Sequence, residues 1–502
     1  MCICECCSVF SRKLWTYGLG TVVIVLGIII AVLWPALSLK IVHNGLKIKP
    51  GTENYENWVQ APLPIYLTFS LFHWENPEQV RDFSVKPRFK EMGPYVFLEK
   101  HLKGDIEFHD NDTVSFFERR NWYFDRSRSG GDLDDMVTSA HVPSAVVADA
   151  TDYPFLRKIG NLILNREGGH LAVTKPAIQW IFDGFDDRLL DFLVRFNSSK
   201  IHVPYNKFGW LVERNGSLEY DGRFTMGTGV NNIKNLGKLS GWNGSPRTPF
   251  YEGECANVNG TTGDIFPPNI DTTKPFTIFA TDACRYMNLI PSREITHRGL
   301  VGTSFLGEAR SLGGVEYPEQ QCFCPAKGDC PKSGVVEVKK CRDNAPIYTS
   351  YPHFYLADKS YVEGVEGMNP EKDKHEFEIA LEPFTGIPLR INGRLQINML
   401  MKPYKGFDIF EGVQEFMMPL FWFGQIVELD EEHAKTVRLA VNLKQYGSIF
   451  AYCFLGLGVG IVSVAFVLTV TNKWRCNHRD DEDPIINNAT PSSESVAVSR
   501  DS

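Results

Sequence analysis

Two long runs without charged residues lie near the ends of the chain and predict membrane-spanning helices. Between Lys13 and Lys40 lie 26 uncharged residues that include VVIVLGIIIAVLW, and between Lys444 and Lys473 lie another 28. Each run can cross a hydrocarbon layer of about 30 Å as a helix, and the first is longer than the apolar core of a cleaved signal peptide. The predicted division of the chain is an N-terminal segment (1–13), a first span (14–39), a central body (40–444), a second span (445–472) and a tail (473–502).

Between the spans, apolar and polar residues alternate with a period of two, which predicts strands. The segment 376–382 (EFEIALE) places its apolar residues on one face and its acids largely on the other, as in a half-buried strand, and 395–399 (LQINM) repeats the pattern. Shorter runs recur between Gly and Pro, as in PYVFLE near Tyr95, VSFFER near Phe116 and VVEVK near Val336. We therefore predict a large α+β body that is mainly antiparallel β.

One segment changes to helical spacing and predicts a helical cap over residues 152–193. Asp152 is a plausible N-cap before Pro154, and a stripe of apolar residues follows until Gly168. A second helix is predicted from Thr174, with Pro176 in its first turn. The residues of the two stripes are Phe155, Leu156, Ile159, Leu162 and Ile163, then Ile178, Ile181, Phe182, Phe185, Leu189 and Leu193.

The first half of this cap carries a local excess of positive charge. Arg157, Lys158 and Arg166, together with Lys175, outnumber Glu167 in a protein whose net charge is -8. Such a patch could attract anionic ligands. The alternative is that these are solvated faces of amphipathic helices, and four aspartates at 183, 186, 187 and 191 could neutralise them.

Overall charge and motif content exclude several functions. A net charge of -8 and a pI near 5.9 argue against nucleic acid as a general partner. The chain has no HExxH, GxSxG or P-loop motif, and its histidines lack the spacing of metal ligands. His353, in YPHFY, is better interpreted as a packed or hydrogen-bonded residue than as a base. We predict neither an enzyme nor a metal or cofactor site.

Charges and glycosylation motifs near and between the spans predict the topology. Arg12 and Lys13 precede the first span and basic residues follow the second, so the positive-inside rule favours both ends in the cytosol, although Lys40, Lys47 and Lys49 weaken it. The central body then shares one compartment, and five Asn-x-Ser/Thr triplets indicate that it is extracellular or lumenal. These triplets begin at Asn111, Asn197, Asn215, Asn243 and Asn259.

The compartment of the central body determines whether its cysteines bind a metal or form disulfides. Residues 321–341 (QCFCPAKGDCPKSGVVEVKKC) hold four of the six, and their spacing lacks the paired CxxC knuckles of a zinc site. An oxidising compartment favours disulfides instead. Six cysteines allow fifteen pairings, and the residues themselves exclude only Cys322 with Cys324 as poor mates.

Cysteines at the two ends have a different predicted fate. The cysteines beside the spans and next to basic residues are candidates for reversible palmitoylation. The alternative is a cytosolic metal cluster, but no histidine and no CxxC spacing supports it. The candidates are Cys2, Cys4, Cys6, Cys7 and Cys476.

Several motifs resemble the class B scavenger receptors, a family that includes fatty-acid translocase, the lysosomal integral membrane proteins, the sensory neuron membrane proteins and croquemort. They are NPEQV at Asn76, EMGPYVF at Glu91, CFC at Cys322, YPHFY at Tyr351 and the long block GMNPEKDKHEFEIALEPFTGIPLRINGRLQINMLMKP from Gly367. The resemblance runs from Cys2 to about Arg475, and the cysteine-rich amino end resembles a croquemort-like insect member.

This resemblance implies a β-rich ectodomain with an apical helical bundle and an internal apolar tunnel toward the membrane. It implies capture of lipids or anionic particles: fatty acids, sterols or phospholipids, and lipoprotein-like or apoptotic-cell particles. Arg166 lies close to where relatives place a ligand-contacting lysine, which favours the functional interpretation of Arg157 and Lys158 as well. The implied disulfides are Cys255 with Cys322, Cys284 with Cys341, and Cys324 with Cys330.

The ends add predictions about traffic and association. Residues 481–486 (DEDPII) resemble an acidic di-leucine sorting signal, with Asp481 as the acid and Ile485 and Ile486 in the apolar places, so we expect a plasma membrane protein with endosomal or lysosomal traffic. Gly456 and Gly460 form a GxxxG motif that could pack a partner helix and so support a homo-oligomer. The alternative functions are a two-span ligand-gated channel, which a polar pore stripe would support, a lipid-modifying ectoenzyme, and a lysosomal transport receptor.

Overall fold

The computed structural model describes residues 9–150, 153–196, 206–325, 330–342 and 344–474. Some sequence predictions concern residues outside these ranges. They are the N-cap at Asp152, the glycosylation triplet at Asn197, the palmitoylation candidates Cys2, Cys4, Cys6, Cys7 and Cys476, and the sorting residues Asp481, Ile485 and Ile486.

Two of the helices are long and apolar enough to cross a membrane, as the uncharged runs predict. The described α-helices are α1 (Val9–Leu46), α2 (Glu53–Val59), α3 (Val142–Asp149), α4 (Pro154–Glu167), α5 (Arg188–Phe196), α6 (Lys359–Glu363), α7 (Lys372–His375) and α8 (Glu431–Val470). The chain forms two compact units, one of residues 1–37 with 444–502 and the other of residues 38–443, which we call the central body. Both α1 and α8 extend beyond their predicted spans into the central body.

Within the first unit, α1 and α8 approach closely at glycines that the GxxxG motif does not include. A Cβ on Gly20 would lie 2.7 Å from Val462 Cγ2, and one on Gly458 would lie 2.6 Å from Ile24 Cγ1. At Gly456 and Gly460, a Cβ would meet no described atom within 4 Å. Gly458 is two positions away from each and therefore faces the other side of the helix. The prediction that Gly456 and Gly460 pack a partner helix stays a prediction.

The central body is built on one 13-stranded sheet in which every pairing between strands is antiparallel. The described strands are β1 (Ile65–Trp74), β2 (Phe89–His109), β3 (Thr113–Phe124), β4 (Met136–Ala140), β5 (Ala172–Pro176), β6 (Phe185–Asp186), β7 (Lys207–Phe208), β8 (Arg223–Gly227), β9 (Leu239–Trp242), β10 (Phe276–Ala280), β11 (Arg285–His297), β12 (Leu300–Gly307), β13 (Val335–Glu337), β14 (Ile347–Ser350), β15 (Glu378–Leu381), β16 (Pro388–Met401) and β17 (Phe416–Glu428). The order is β10-β11-β12-β15-β16-β17-β1-β2-β3-β8-β9, and β14 joins β13 to β16. The predicted antiparallel body is confirmed.

A single extended segment connects the two ends of this strand order. Thr261 forms a bridge with Lys238, next to β9, and another with Ile278 on β10. Gly260 precedes it with φ +92°, and a Cβ there would lie 2.4 Å from the carbonyl oxygen of Thr277. Only glycine fits this position, because an L side chain disfavours such a φ and would collide with the backbone. The sheet thereby closes on itself and separates an inner face from an outer one.

The prediction of half-solvated strands is wrong for β15 and β16. The acid Glu378 on β15 is buried, and its carboxylate accepts hydrogen bonds from Arg293 (3.0 Å) and Arg390 (3.1 Å). On β16, Gln396 and Asn398 are fully buried and hydrogen-bonded to each other at 2.7 Å. Polar residues on these strands meet partners rather than water, since other parts of the chain cover both faces.

The helical cap exists but differs from its predicted form. The first helix, α4, ends as predicted at Gly168, which adopts φ +87°. The predicted start of the second helix at Thr174 is wrong, because Thr174 lies in β5 and pairs with Thr138 of β4. One π-helical turn (Gln179–Asp183) follows, and α5 begins only after Gly184. Backbone pairing with β4 therefore prevails over the helical pattern of the apolar residues.

Six cysteines of the central body lie in the pairs that the family resemblance implies. The Cα–Cα distances are 5.7 Å for Cys255–Cys322, 6.4 Å for Cys284–Cys341 and 5.0 Å for Cys324–Cys330. All three fall in the range usual for disulfides. Cys322 and Cys324 take different partners. The segment 321–341 is bonded to two other places in the chain, through Cys322 to Cys255 and through Cys341 to Cys284, and the third bond closes a loop within it.

The YPHFY motif forms a buried histidine pair. His353 stacks on His375 with ring centroids 4.4 Å apart, and its Nε2 lies 3.1 Å from a carboxylate oxygen of Glu91. The backbone N–H groups of Asn369 and Glu371 donate to Nδ1 of His353 and of His375, respectively. His353 is thus packed and hydrogen-bonded. Burial lowers the pKa of His375 to about 4, and the adjacent His353 acts in the same direction.

We expect three disulfide-linked peptide pairs and no free thiol among these six cysteines. Non-reducing peptide mapping by mass spectrometry, compared with the reduced sample, checks the pairing. A free thiol at Cys322 or Cys324, or a bridge between these two residues, would contradict it.

We expect the central body to lose stability between pH 6.5 and pH 4 because of His375. The unfolded chain takes up a proton near pH 6.5 but the folded chain only near pH 4, so the free energy of unfolding declines by on the order of 3 kcal/mol as the pH falls across this interval. His375→Gln should remove that part of the slope, as measured by denaturant unfolding at both pH values. His170→Gln, at an exposed histidine, is the control. An unchanged slope in His375→Gln would disprove the assignment.

Candidate functional site

The inner face of the sheet lines a cavity of about 1120 Å³ in the central body. Its geometry is clearest along one row of paired residues that crosses five adjacent strands. Ile391 pairs with Val427, Val427 with Ile65, Ile65 with Glu99 and Glu99 with Trp122, and all five line the cavity. Strand residues two positions apart point to the same face of the sheet. Every second residue along these strands therefore faces the cavity.

Most of the strand wall is apolar, and it includes one glycine. On β16, the lining residues Ile391, Gly393, Leu395 and Ile397 are spaced by two, and Phe421 and Phe423 continue the wall on β17. A Cβ on Gly393 would lie 3.6 Å from the ring of Phe377, an ordinary contact. The volume is above the usual range of small-molecule pockets, about 300–1,000 Å³.

Helices complete the lining. The helix α3, which precedes the helical cap, contributes Val142 and Val146, and α5 of the cap contributes Leu190 and Leu193. Residues 41–46, from the last turns of α1, and residues 436–443, from the first turns of α8, also line the cavity. The other turns of α1 and α8 form the candidate spans.

A group of buried and half-buried ionisable residues interrupts the apolar wall on β2 and β3. We call it the charged cluster. Its members are Glu99, His101, Lys103, Glu118, Arg120, Arg214, Asp221, Asp264, Asp282 and Arg342. All except Glu118 and Asp221 line the cavity, and these two lie behind the arginines as their partners.

Each cation of the charged cluster contacts at least one acid. Lys103 Nζ lies 2.6 Å from Asp264, and Arg120 lies 3.1 Å from Glu118 and 3.2 Å from Asp221. Arg214 bridges Asp221 (2.8 Å) and Asp282 (2.9 Å). Pairs of this kind are costly to break, because removal of one partner leaves a buried charge without compensation.

In six members of the charged cluster, the pairing favours the ionised form and shifts the pKa accordingly. Burial disfavours every charged form, but the opposite charges outweigh it. The pKa is raised in three cations, Lys103, Arg120 and Arg214. The pKa is lowered in three acids, Glu118, Asp264 and Asp282. The cavity therefore presents fixed charges over one part of its wall.

The predicted apex residues lie together on α4, outside the cavity lining. Lys158 is exposed and Arg166 is 80% exposed, whereas Arg157 is half-buried. The helix packs its other face on the chain around Gly160, where a Cβ would lie 3.0 Å from the Phe407 ring. Asp408 accepts hydrogen bonds from the amides of Asn161 and Asn165, which secures α4 on that loop.

Three apolar residues of the predicted stripe face outward. Phe155 is 71% exposed, Ile159 is 41% exposed and Leu162 is 64% exposed. With Lys158 and Arg166 they form a surface that we call the α4 face. Apolar side chains flanked by cations are typical of surfaces that contact anionic lipid. Two of the aspartates that could have neutralised the cations have other contacts, Asp186 with Lys207 and Asp187 with His141.

The comparison with known proteins agrees with this architecture over nearly the whole chain. Residues 18–469 match the model of the CD36 family. The chain belongs to the CD36 family. Protein peste from Drosophila melanogaster is 34% identical over 452 residues, which cover 88% of this chain and 80% of that protein. Lysosome membrane protein 2 from Rattus norvegicus is 31% identical (83% and 86% covered), and scavenger receptor class B member 1 from Bos taurus is 29% identical (91% and 89% covered).

Membership in the CD36 family confirms the resemblance to class B scavenger receptors that the sequence motifs suggest. It also agrees with the two-span architecture and the antiparallel sheet. The four described glycosylation triplets of this CD36-family chain begin at exposed asparagines, namely Asn111, Asn215, Asn243 and Asn259. Their modification stays a prediction.

Sequence analysis missed the charged cluster. Its signal was present in the strand pattern, because Glu99, His101 and Lys103 are spaced by two on β2 and therefore share a face. Such a row resembles the solvated face of a surface strand, and only the closure of the sheet makes it internal. Of its other cavity-facing members, Arg120 lies on β3. The rest come from connecting segments that no local pattern brings together, namely Arg214, Asp264, Asp282 and Arg342.

Proposed function

We propose that this protein is a scavenger receptor that binds lipid in its internal cavity and transfers it toward the membrane. The observation that carries the proposal is the large cavity whose wall is the inner face of the sheet. Burial of each CH2 group stabilises a bound lipid by about 0.8 kcal/mol, so a long acyl chain or sterol gains more from such a wall than from water. The names of the relatives, scavenger receptor class B and lysosome membrane protein, support a receptor of the membrane rather than an enzyme.

The direction of transfer follows from the helices that line the cavity. The turns of α1 and α8 that line the cavity belong to the same helices as the two candidate spans. A lipid in the cavity would therefore contact chain segments that continue directly into both spans. A continuous apolar route, or tunnel, would let lipid move down its gradient without a bond being made or broken. Endocytosis of a captured particle is the other route of uptake for the same receptor.

Capture is assigned to the α4 face. Lys158 and Arg166, together with the neighbouring half-buried Arg157, supply positive charge. Phe155, Ile159 and Leu162 supply apolar area that can enter a lipid surface. The proposed partners are fatty acids, sterols or phospholipids carried by lipoprotein-like or apoptotic-cell particles. The helices α3 and α5 contact α4 and also line the cavity. The proposed capture surface is therefore adjacent to the proposed route of transfer.

The proposed location is the plasma membrane, with both termini in the cytosol and the glycosylated body outside. The basic residues beside the spans and the exposed glycosylation triplets support this orientation. The similarity to lysosome membrane protein 2 supports endosomal or lysosomal traffic as an additional location.

Gly393→Phe should reduce lipid content without unfolding the protein. The new ring would project into the cavity from β16, since a Cβ at this position has only ordinary contacts and the backbone φ is permitted for any residue. We expect the lipid retained by full-length protein after mild extraction, measured by mass spectrometry, to fall at least about fivefold.

The matched control is Ile426→Phe, which adds a ring on the other face of the same sheet, between lining residues Gln425 and Val427. It should retain wild-type lipid. If the wild-type protein contains no lipid and takes up neither added fatty acid nor sterol ester, the tunnel hypothesis is wrong.

Charge reversal on α4 should weaken binding of anionic particles. Replacement of Arg157, Lys158 and Arg166 by Glu makes the α4 face negative, so we expect a loss of about tenfold or more in binding to phosphatidylserine vesicles, with surface expression intact. Flotation of vesicles with the purified protein measures this. Lys234→Glu, on an exposed turn elsewhere, is the control. Unchanged binding would show that these residues are only the solvated face of a helix.

A further inference from the structure

One buried arginine outside the cavity lining forms no ion pair with the described residues. Arg285 begins β11, and it is only 1% exposed. Arg214, a comparably buried arginine of the charged cluster, contacts two carboxylates, those of Asp221 and Asp282. A buried charge is costly to desolvate unless an opposite charge compensates it. Arg285 therefore lacks the kind of partner that Arg214 has.

Neutral groups hold the guanidinium of Arg285 in place. Gln320 and Phe323 lie three residues apart on one 3₁₀-helical turn, and side chains at that spacing share a face. The guanidinium carbon lies 3.3 Å from the centre of the Phe323 ring, and Nη2 donates a hydrogen bond to Gln320 Oε1 at 2.5 Å. Nε donates to the carbonyl oxygen of Tyr286 at 3.4 Å. None of these partners carries a negative charge.

The third nitrogen of the guanidinium, Nη1, is buried and donates to no described atom. It lies near Gly313, which adopts φ +81°. A Cβ on Gly313 would have Nη1 at 3.8 Å and Gln320 Cβ at 3.9 Å as its nearest neighbours beyond the adjacent residues. Because glycine has no side chain, there is room beside Nη1 for an atom of about that size.

The guanidinium remains charged in these surroundings. Burial lowers the pKa of Arg285 to about 10, and three neighbouring tyrosines, Tyr251, Tyr286 and Tyr351, oppose the shift. The side chain is therefore protonated at neutral pH. A water molecule beside Nη1 would accept a hydrogen bond but leave the charge uncompensated, whereas an anion would do both.

We propose that Arg285 binds a small monovalent inorganic anion, chloride, at Nη1 beside Gly313. Size and burial select this class, because a monatomic anion fits a space of this size. A carboxylate or phosphate would have to displace the packed residues around Phe323. The site is separate from the lipid cavity, whose lining does not include Arg285. Its anion would stabilise the turn that also carries Cys322, the partner of Cys255.

Chloride should stabilise the full-length protein at constant ionic strength. Protein in detergent micelles is dialysed at pH 7.4 against sodium gluconate, and chloride then replaces gluconate in steps. The midpoint of thermal unfolding is measured by tryptophan fluorescence. We expect a saturable rise of about 3 °C, because a ligand that binds only the folded state raises the midpoint. Bromide should give a similar rise.

Gln320→Glu should abolish this dependence, because it supplies the missing carboxylate. The new side chain keeps the shape of the amide and stays at hydrogen-bond distance from Nη2 of Arg285. We expect its midpoint in gluconate to reach that of the wild type in chloride, with less than about 1 °C added by chloride. Gln321→Glu makes the same change at the exposed neighbouring residue. This matched control should keep the full chloride response.

Arg285→Met is a second variant and removes the cation itself. It should lack the chloride response whatever its stability in gluconate, and if it does not fold, Gln320→Glu decides alone. A wild-type midpoint that is the same in gluconate and chloride would disprove the site. So would a full chloride response in Gln320→Glu or in folded Arg285→Met, or a lost response in Gln321→Glu.

Discussion

The structure depends on the closure of one antiparallel sheet through the extended segment at Gly260 and Thr261. Without this connection β9 and β10 would be free edges, and both faces of the sheet would be accessible to solvent. With this connection, one alternating set of side chains on each strand faces the interior of the closed sheet, and the other set faces its outside. The cavity and the position of the charged cluster on its wall follow from that division.

The charged cluster gathers ten ionisable residues at one part of the cavity wall. Replacement of a buried ionic network by well-packed apolar residues of similar volume is often neutral or stabilising, so stability alone does not account for ten ionisable residues at this place. The cavity wall elsewhere shows that the fold accommodates apolar residues on the same face, as at Leu67 and Leu395.

Local patterns predicted the elements whose surroundings are simple. The spans were predictable because a single solvent contrast, lipid against water, determines which residues occur there. Thr174 and Glu378 were not, because pairing with β4 and the covering of both sheet faces involve residues distant in sequence. The same limit applies to the candidate site: the cations of α4 were found from a local excess of charge, whereas Arg214 and Asp282 are brought together only by the fold.

The outward orientation of Phe155, Ile159 and Leu162 also affects how the protein behaves as a sample. An exposed apolar stripe favours contact between molecules in concentrated solution. Lys158 and Arg166 beside it oppose such contact, since two α4 faces would bring like charges together. Added salt screens that repulsion but leaves the apolar attraction in place. The repulsion between two α4 faces is therefore strongest at low ionic strength, where this surface contributes least to self-association.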